Sequence, residues 1–284
     1  MKFKMKLQTP VADRPCKVSI SYDDKIMMLG SCFTDNIGAL LKNYGFDVCI
    51  NPFGTLYNPA SILSSVKRLI DGQEFTEDDC MEIGAGDCRI CSFFHHTSFA
   101  RGSRSEFVEN ANARMKDAAE FFKSCNKVII TLGTSWCYRH LAKDMIVSNC
   151  LKRNANEFRR EFLPTSTTTD MLQEIMALCP EKEFIFTVSP IRHFKDGAHG
   201  NQISKASLLL GIEGIGAGDY FPSYEIMMDE LRDYRFYAED MCHPSQQAVN
   251  YICERFLDWA LPSEEHERLK EQVRLYRQGC HISK

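Results

Sequence analysis

Residues 26–36 read Ile26-Met27-Met28-Leu29-Gly30-Ser31-Cys32-Phe33-Thr34-Asp35-Asn36 and join an apolar run to the start of a helix. The apolar residues predict a buried strand, and Gly30 permits a tight exit from it. The polar residues at 34–36 can cap a helix that continues through residues 37–41. An α/β enzyme carries its nucleophile at such a strand-to-helix turn, so Cys32 is the first candidate catalytic residue.

Cys32 would lie at the amino end of the predicted helix. The positive end of a helix dipole lowers the pKa of a cysteine there, and the same backbone N–H groups can hold an oxyanion. Ser31, one residue earlier in the turn, is the alternative nucleophile. A structural interpretation also stays open, because a cysteine after a strand is often a small core residue.

A second candidate segment, Ala238-Glu239-Asp240-Met241-Cys242-His243-Pro244-Ser245, precedes a helical pattern at residues 246–257. The three-residue separation lets the carboxylate of Asp240 reach one imidazole nitrogen of His243. That contact would fix the tautomer and leave the other nitrogen to act as a base. With Cys32, these residues predict a catalytic triad, although either one could instead cap the helix that follows.

Strand-like and helical patterns alternate along the chain. Apolar strand-like runs cover residues 26–29, 47–50, 128–132 and 184–188, and helical patterns cover 60–70, 108–125 and 170–178. This alternation predicts an α/β fold with three α/β/α layers and a mostly parallel, flavodoxin-like central sheet. Ligands bind beyond the carboxyl ends of the strands in such sheets. One pocket can therefore contain the groups that follow these strands: Cys32, Gly54, Ser135 and the Ser189-Pro190 turn.

We expect one catalytic domain at residues 1–260 and a C-terminal helical tail at 261–284 packed on it. Residues 76–104 contain several glycines and little helical period, which predicts an inserted loop or hairpin over the pocket. Residues 154–170 and 196–201 are predicted to be further loops.

The composition excludes several classes of protein. The formal charge is −4 with no basic run, so no nucleic-acid partner is predicted. No apolar run reaches membrane-spanning length, and the basic start of the chain at residues 1–6 lacks the apolar stretch of a secretion signal. The 13 cysteines are scattered singly, which predicts reduced thiols and a cytoplasmic protein.

One cluster, at residues 88–96, contains side chains that can bind zinc: Cys88, Cys91, His95 and His96. No second pair of ligands stands at finger-like spacing, and the neighbouring residues alternate between apolar and polar as in a strand. We therefore expect a strand that ends in two histidines, and we predict neither a metal nor another cofactor.

The two candidate segments resemble the SGNH (GDSL-type) hydrolase superfamily, whose first block follows a strand and whose last block reads Asp-x-x-His before a terminal helix. Residues 51–55 and 127–136 resemble its second and third blocks, so all four blocks occur in order. The string Gly30-Ser31-Cys32-Phe33-Thr34 also resembles the GSCFA domain group, a related branch, as do the segments at 189–193 and 220–224.

The resemblance implies roles for individual residues. The nucleophilic serine of the superfamily falls on Cys32, and a frame shift would move it to Ser31. The backbone N–H of Gly54 and the hydroxyl of Ser135 would help to hold the oxyanion, with Ser135 in the place of the superfamily's asparagine.

Arg192 and His193 follow the predicted strand at 184–188. A loop at that strand end faces the pocket, so both residues are candidates for substrate contact; a solvated turn is the alternative.

The resemblance implies an esterase or deacylase that acts on a small acyl ester, such as an acetylated carbohydrate, through a covalent acyl-enzyme. Two other functions stay open. The first is an acyltransferase that uses the same triad with a thioester donor such as acetyl-CoA. The second is a catalytically silent binding domain in which Cys32 replaced a serine after turnover was lost. The sequence predicts no oligomeric state.

Overall fold

A computed structural model describes residues 8–12 and 14–282, with the backbone alone for 280–282. The strands are β1 (Lys25–Gly30), β2 (Asp47–Ile50), β3 (Met81–Glu82), β4 (Ile90–Cys91), β5 (Lys127–Leu132), β6 (Trp136–His140), β7 (Met145–Val147), β8 (Phe158–Phe162), β9 (Glu183–Val188) and β10 (Asp219–Phe221). The helices are α1 (Cys32–Asn43), α2 (Pro59–Asp71), α3 (Arg104–Ser124), α4 (Thr165–Leu178), α5 (Gly197–Glu213), α6 (Ser223–Glu225), α7 (Gln246–Ala260) and α8 (His266–Ile282).

Five strands form the central sheet in the order β10-β9-β5-β1-β2, and every neighbouring pair is parallel. Strand β1 shows why both faces of this sheet are covered. Its residues Met27 and Leu29 join one apolar cluster with side chains of α2 to α5, whereas Ile26 and Met28 join a second cluster with α1 and α7. A parallel sheet buried on both faces reads as a continuous apolar run. The predicted three-layer α/β/α fold is confirmed.

Gly30 ends β1 at a point where no other residue fits. Its φ of +145° is unfavourable for a residue with a side chain, and an added Cβ would lie 2.2 Å from the carbonyl oxygen of Thr131 on β5. The chain therefore turns immediately, and Ser31 becomes the N-cap of α1.

The structure also corrects two predicted loops. Residues 154–170 contain β8 and the start of α4, and residues 196–201 contain the start of α5. Strand β8 pairs antiparallel with β6, and β6 with β7, in a second sheet of three strands. The apolar periodicity does not predict β8, because the middle residues of this strand are charged. These charges are paired with charges on β6: Arg139 forms an ion pair with Glu161 at 3.0 Å.

Residues 76–104 contain the short antiparallel hairpin β3–β4 together with single helical turns. At the other end of the chain, α8 packs against the body. The ring of Tyr276 lies 5.8 Å from that of Tyr44, and the guanidinium of Arg268 lies 4.2 Å from the ring of Tyr22. The division into residues 1–260 and 261–284 stays a prediction.

In residues 8–12 and 14–282, no helix is both long enough and apolar enough to cross a membrane. The basic stretch at residues 1–6 lies outside the described part of the chain. The cysteines that the structure describes are all free thiols.

Candidate active site

The candidate site lies where the loops after β1, β2 and β5 meet at the carboxyl edge of the sheet. Backbone hydrogen bonds join these loops. The N–H of Ser31 donates to the carbonyl of Thr131 at 3.2 Å, the N–H of Leu56 donates to Gly30 at 2.8 Å, and the N–H of Gly133 donates to Tyr57 at 2.9 Å. Because backbone holds the loops together, side chains on them keep fixed relative positions.

Cys32 is the first residue of α1, and its side chain is partly buried. Burial raises the pKa of its thiol to about 11, and the carboxylate of Asp35 on the next turn contributes in the same direction. The backbone N–H groups of Cys32 and Phe33 and the charge of Lys205 oppose this shift. The helix terminus therefore stabilises the thiolate, but the opposing contributions are larger, so the sulfur carries its proton at neutral pH.

Asn51, in the loop after β2, holds both the nucleophile turn and Asp35. Its Oδ1 accepts a hydrogen bond from the N–H of Gly30 at 2.8 Å, and its Nδ2 donates to Asp35 at 2.7 Å. Burial raises the pKa of Asp35, and the Asn51 amide lowers it.

Asp240 and His243 form the contact that their spacing predicts. Nδ1 of His243 lies 2.5 Å from Oδ2 of Asp240. The other carboxylate oxygen accepts from the N–H groups of Cys242 and His243, both at 2.9 Å. These bonds lower the pKa of Asp240 to about 2, so it remains ionised and orients the imidazole.

Asp240 and His243 line a cavity of about 680 Å³ at this edge of the sheet. Aromatic and cationic side chains form much of its wall: Tyr57, Trp136, Tyr138, Phe194, Arg160, Arg192 and Lys195. A cavity of this size accommodates a small ligand. No residue of the segment 76–104, which the structure describes completely, lines this cavity, although His96 lies against Gly54 in the loop after β2. That the segment covers the pocket stays a prediction.

Arg192 and His193 both line the cavity, in the loop after β9. The guanidinium of Arg192 lies 4.4 Å from the ring of Phe194, and one of its nitrogens donates to the carbonyl of Met241 at 3.3 Å. Burial lowers the pKa of His193 to about 3, and the charges of Lys205 and His243 add to this effect. His193 is therefore a neutral imidazole at physiological pH.

The structure does not join Cys32 to His243. Cys32 is not among the residues that line the cavity, and the imidazole of His243 contacts Asp240 rather than the sulfur. The two side chains share neighbours instead: the charge of Lys205 acts on both Cys32 and His193, and that of His243 acts on His193. Tyr57 is another link, because it lines the cavity and its pKa, which burial raises, is raised further by the ionised Cys32.

The two residues that we expect to be oxyanion donors donate their hydrogen bonds to backbone carbonyls instead. The N–H of Gly54 donates to the carbonyl of Asn51 at 2.7 Å, and the hydroxyl of fully buried Ser135 donates to the carbonyl of Ser204 at 3.0 Å. Their donor role stays a prediction that requires these bonds to break. Gly54 has φ +81° and an added Cβ would lie 2.3 Å from Cβ of His96, so the close approach of backbone explains this glycine.

Ser31, the alternative nucleophile, is fully buried. Its Oγ accepts from the N–H of Phe33 at 3.3 Å, as an N-cap does. Neither Ser31 nor Cys32 lines the cavity, and the choice between them as the attacking group stays a prediction.

Sequence reasoning missed the role of one face of α5. Asn201, Ser204 and Lys205 are all buried there and contact the loops of the site. Oδ1 of Asn201 accepts from the N–H of His193 at 2.9 Å, and Oγ of Ser204 accepts from the N–H of Ser135 at 2.7 Å. The sequence signal for this buried face is the helical spacing of Asn201, Ser204 and Lys205. Polar residues at that spacing also fit a helix face that is exposed to solvent.

A metal site has no support in the part of the chain that the structure describes, where no group of three or more His, Cys, Asp or Glu side chains could hold an ion. In the cluster that suggested zinc, His95 is fully buried, and its Nδ1 lies 2.7 Å from Oγ of Ser92.

The chain is similar to a known protein family and to a solved enzyme structure. The model of the GSCFA family matches residues 25–256. An acetyl xylan esterase from the rumen bacterium Butyrivibrio proteoclasticus is 11% identical with a TM-score of 0.39, and the match covers 84% of this chain and 64% of the esterase. The chain thus spans less than two thirds of that protein's length. None of the curated proteins compared with the chain matches it. The family match covers most of the chain, including Cys32, Asp240 and His243, and the chain therefore belongs to the GSCFA family.

Proposed function

We propose that this protein is an esterase or deacylase that transfers the acyl group of a small ester to Cys32 and then to water. The observation that carries the proposal is the hydrogen bond that Nδ1 of His243 donates to the carboxylate of Asp240 at the wall of the cavity. Nδ1 is thereby committed to donating, which leaves Nε2 as an acceptor for a thiol proton. The resemblance of the blocks around Cys32 and His243 to SGNH hydrolases supports the same reaction.

In the first half of the reaction, Nε2 of His243 takes the proton of the Cys32 thiol. The sulfur forms a bond to the carbonyl carbon, and the ester C–O bond breaks as the imidazolium gives its proton to the leaving alcohol. In the second half, water gives a proton to Nε2 and bonds to the same carbon. The C–S bond then breaks, the sulfur regains its proton, and acid and alcohol are the products.

This reaction requires the thiol and the imidazole to approach each other. The His243 side chain is 50% exposed, so packing does not lock its position. The backbone N–H of Cys32, at the start of α1, would donate to the oxyanion, and one such donor contributes about 3 kcal/mol to catalysis.

An acyltransferase is the second candidate, and one observation favours it. Arg192 and Lys195 line the cavity, and neither pairs with a carboxylate of any described residue, whereas Arg160 is paired with Asp196. Unpaired cations beside aromatic rings suit the phosphate groups and the base of a thioester donor such as acetyl-CoA. The acceptor would then be the hydroxyl of a sugar or another alcohol.

Incubation with acetyl-CoA and with acetylated sugars, alone and with free sugars, separates the two candidates. Hydrolysis predicts acetate and free alcohol from acetylated sugars without any acceptor. Transfer predicts free CoA and acetylated sugar only when both substrates are present. Loss of both activities in Cys32→Ala is expected. A protein that acts on neither substrate class and whose Cys32 reacts with iodoacetamide no faster than an ordinary exposed thiol would instead be a binding domain.

In the transfer case, Arg192→Gln should raise KM for acetyl-CoA and leave KM for a neutral acetyl ester unchanged. Arg14→Gln is the matched control, because Arg14 is exposed and pairs with Glu213, away from the cavity. Equal changes of KM for acetyl-CoA in Arg192→Gln and Arg14→Gln would contradict the acyltransferase candidate.

A further inference from the structure

Lys205 on α5 is a buried cation without an acidic partner. Its side chain is only 1% exposed, and Nζ donates to the carbonyls of Gly133 at 2.7 Å and Ser189 at 2.8 Å. No carboxylate of a described residue forms an ion pair with it. Burying a charge without an opposite charge is unfavourable, so a lysine at such a position needs an explanation.

The two carbonyls belong to the loops that follow β5 and β9. The first loop begins after Leu132, and the carbonyl of Thr131, near the end of β5, accepts from the N–H of Ser31 in the nucleophile turn. Lys205 therefore lies under the carboxyl edge of the sheet, next to the turn that carries Cys32.

The titratable groups around Lys205 come from three elements. They are Cys32 on α1, His193 after β9, and Tyr224 on α6, whose ring centre lies 5.6 Å from Nζ. His193 is neutral, and burial also raises the pKa of Tyr224. The thiolate of Cys32 is thus the one anion that these neighbours can supply to the ammonium.

We propose that Lys205 is a positioning residue whose ammonium balances the negative charge on the sulfur of Cys32 while it holds the loops after β5 and β9 together. This inference rests on the proposed function, in which that sulfur attacks the ester. When the thiol proton moves to His243, a negative charge appears on a half-buried sulfur beside Asp35. The ammonium of Lys205 opposes the repulsion from that carboxylate.

The coupling acts in both directions. Burial lowers the pKa of Lys205 to about 7, and the ionised Cys32 raises it. The ammonium therefore retains its proton most firmly when the sulfur is ionised, as expected for two interacting sites.

The test compares Lys205→Met with Lys182→Met. Lys182 is the matched control, since it is also buried and also donates to a carbonyl, that of Cys125, but lies before β9 at the opposite edge of the sheet. The rate of iodoacetamide labelling of Cys32 is measured against pH by peptide mass spectrometry, and thermal unfolding shows that each variant is folded. The reaction requires no turnover, so a failed esterase assay leaves the result interpretable.

Loss of the ammonium should slow the labelling of Cys32 about tenfold at pH values below about 7, where Lys205 holds its proton, and should leave the labelling rate at higher pH unchanged. Lys182→Met should keep the wild-type profile even if it unfolds at a lower temperature. A folded Lys205→Met with the wild-type profile would overturn the proposal and leave Lys205 with a structural role alone.

A second measurement keeps Lys205 in place, and it tests the interaction of Lys205 with position 32 even if Lys205→Met does not fold. The titration of Lys205 is followed by NMR with 13C-labelled lysine in Cys32→Asp and Cys32→Ala. A carboxylate at position 32 replaces the thiolate charge, so Lys205 should lose its proton at a higher pH in Cys32→Asp. Equal midpoints in the two variants would overturn the proposal.

Discussion

The side-chain amide of Asn51 donates a hydrogen bond to Asp35 at 2.7 Å, and this contact fixes a carboxylate one helical turn from Cys32. The same side chain accepts from the N–H of Gly30. One asparagine therefore links the end of β1 to the charge that opposes ionisation of the thiol. Burial is the main reason why the pKa of the Cys32 thiol is raised, and Asp35 is the charged side chain that raises it further.

Asp35→Asn should make Cys32 more reactive at neutral pH. The carboxylate raises the pKa of the thiol, so its neutral isostere removes that contribution while the Asn51 amide keeps an acceptor. Iodoacetamide labelling against pH should have a lower midpoint than in the wild type. An unchanged midpoint would show that Asp35 does not act on the sulfur.

The same substitution should change how stability depends on pH. Burial raises the pKa of Asp35 in the folded protein, so its contribution to stability is complete below the unfolded pKa and is lost as pH rises through the folded pKa. The Asp35→Asn protein has no carboxyl at this position, so it does not lose this stability as the pH rises. Urea unfolding should therefore show a larger advantage of the variant over the wild type at pH 7 than at pH 4, and a smaller advantage at pH 7 would contradict the assignment.

Asp240→Asn should preserve the loop and reduce turnover. The amide oxygen can still accept from the N–H groups of Cys242 and His243, but the amide nitrogen cannot accept from Nδ1 of His243. We expect kcat to fall by about 100-fold to 10,000-fold, with the melting temperature nearly unchanged. Wild-type turnover in this variant would remove Asp240 from the mechanism.

Gly30→Ala should destabilise the protein far more than Gly72→Ala. Both positions have positive φ, but an alanine at 72 meets nothing within 4 Å, whereas one at 30 lies 2.2 Å from a backbone oxygen. The cost of the left-handed backbone alone is about 1 kcal/mol, and the clash adds to it at position 30. Chemical unfolding measures the free energy of unfolding of both variants. Equal losses of stability would mean that the turn after β1 can shift to make room for the methyl group.

Ser135→Ala should leave turnover within about twofold and cost about 1 kcal/mol of stability, because its hydroxyl donates to the carbonyl of Ser204. Parallel kinetics and urea unfolding separate the two effects. A loss of kcat of tenfold or more with unchanged stability would support the oxyanion role that the sequence predicts for Ser135.

The sequence predicts β1, β2, β5 and β9 and the contact between Asp240 and His243, because these depend on local pattern and short spacing. Strand β10 has three residues, Asp219–Phe221, which is too short to show a period. Strand β8 was missed because its charges are satisfied by residues of β6 that lie about 20 positions away.

The contacts of Lys205 and Ser135 are the part of the site that no local pattern contains. Nζ of Lys205 reaches a carbonyl 72 residues away along the chain, and Ser135 finds its acceptor at a separation of 69. A lysine on a helix usually faces water, so only the packing of α5 under the loops reveals that this one is buried.

Acyl-enzyme trapping tests the central claim most directly. The protein is mixed with an excess of p-nitrophenyl acetate, quenched in acid within seconds, and digested for peptide mass spectrometry, with Cys32→Ala and His243→Ala treated alike. We predict one acetyl group on the peptide that contains Cys32 in the wild type, none there in Cys32→Ala, and much slower labelling in His243→Ala. Release of p-nitrophenol with the acetyl group on another residue, or with equal labelling of Cys32 in His243→Ala, would contradict the account.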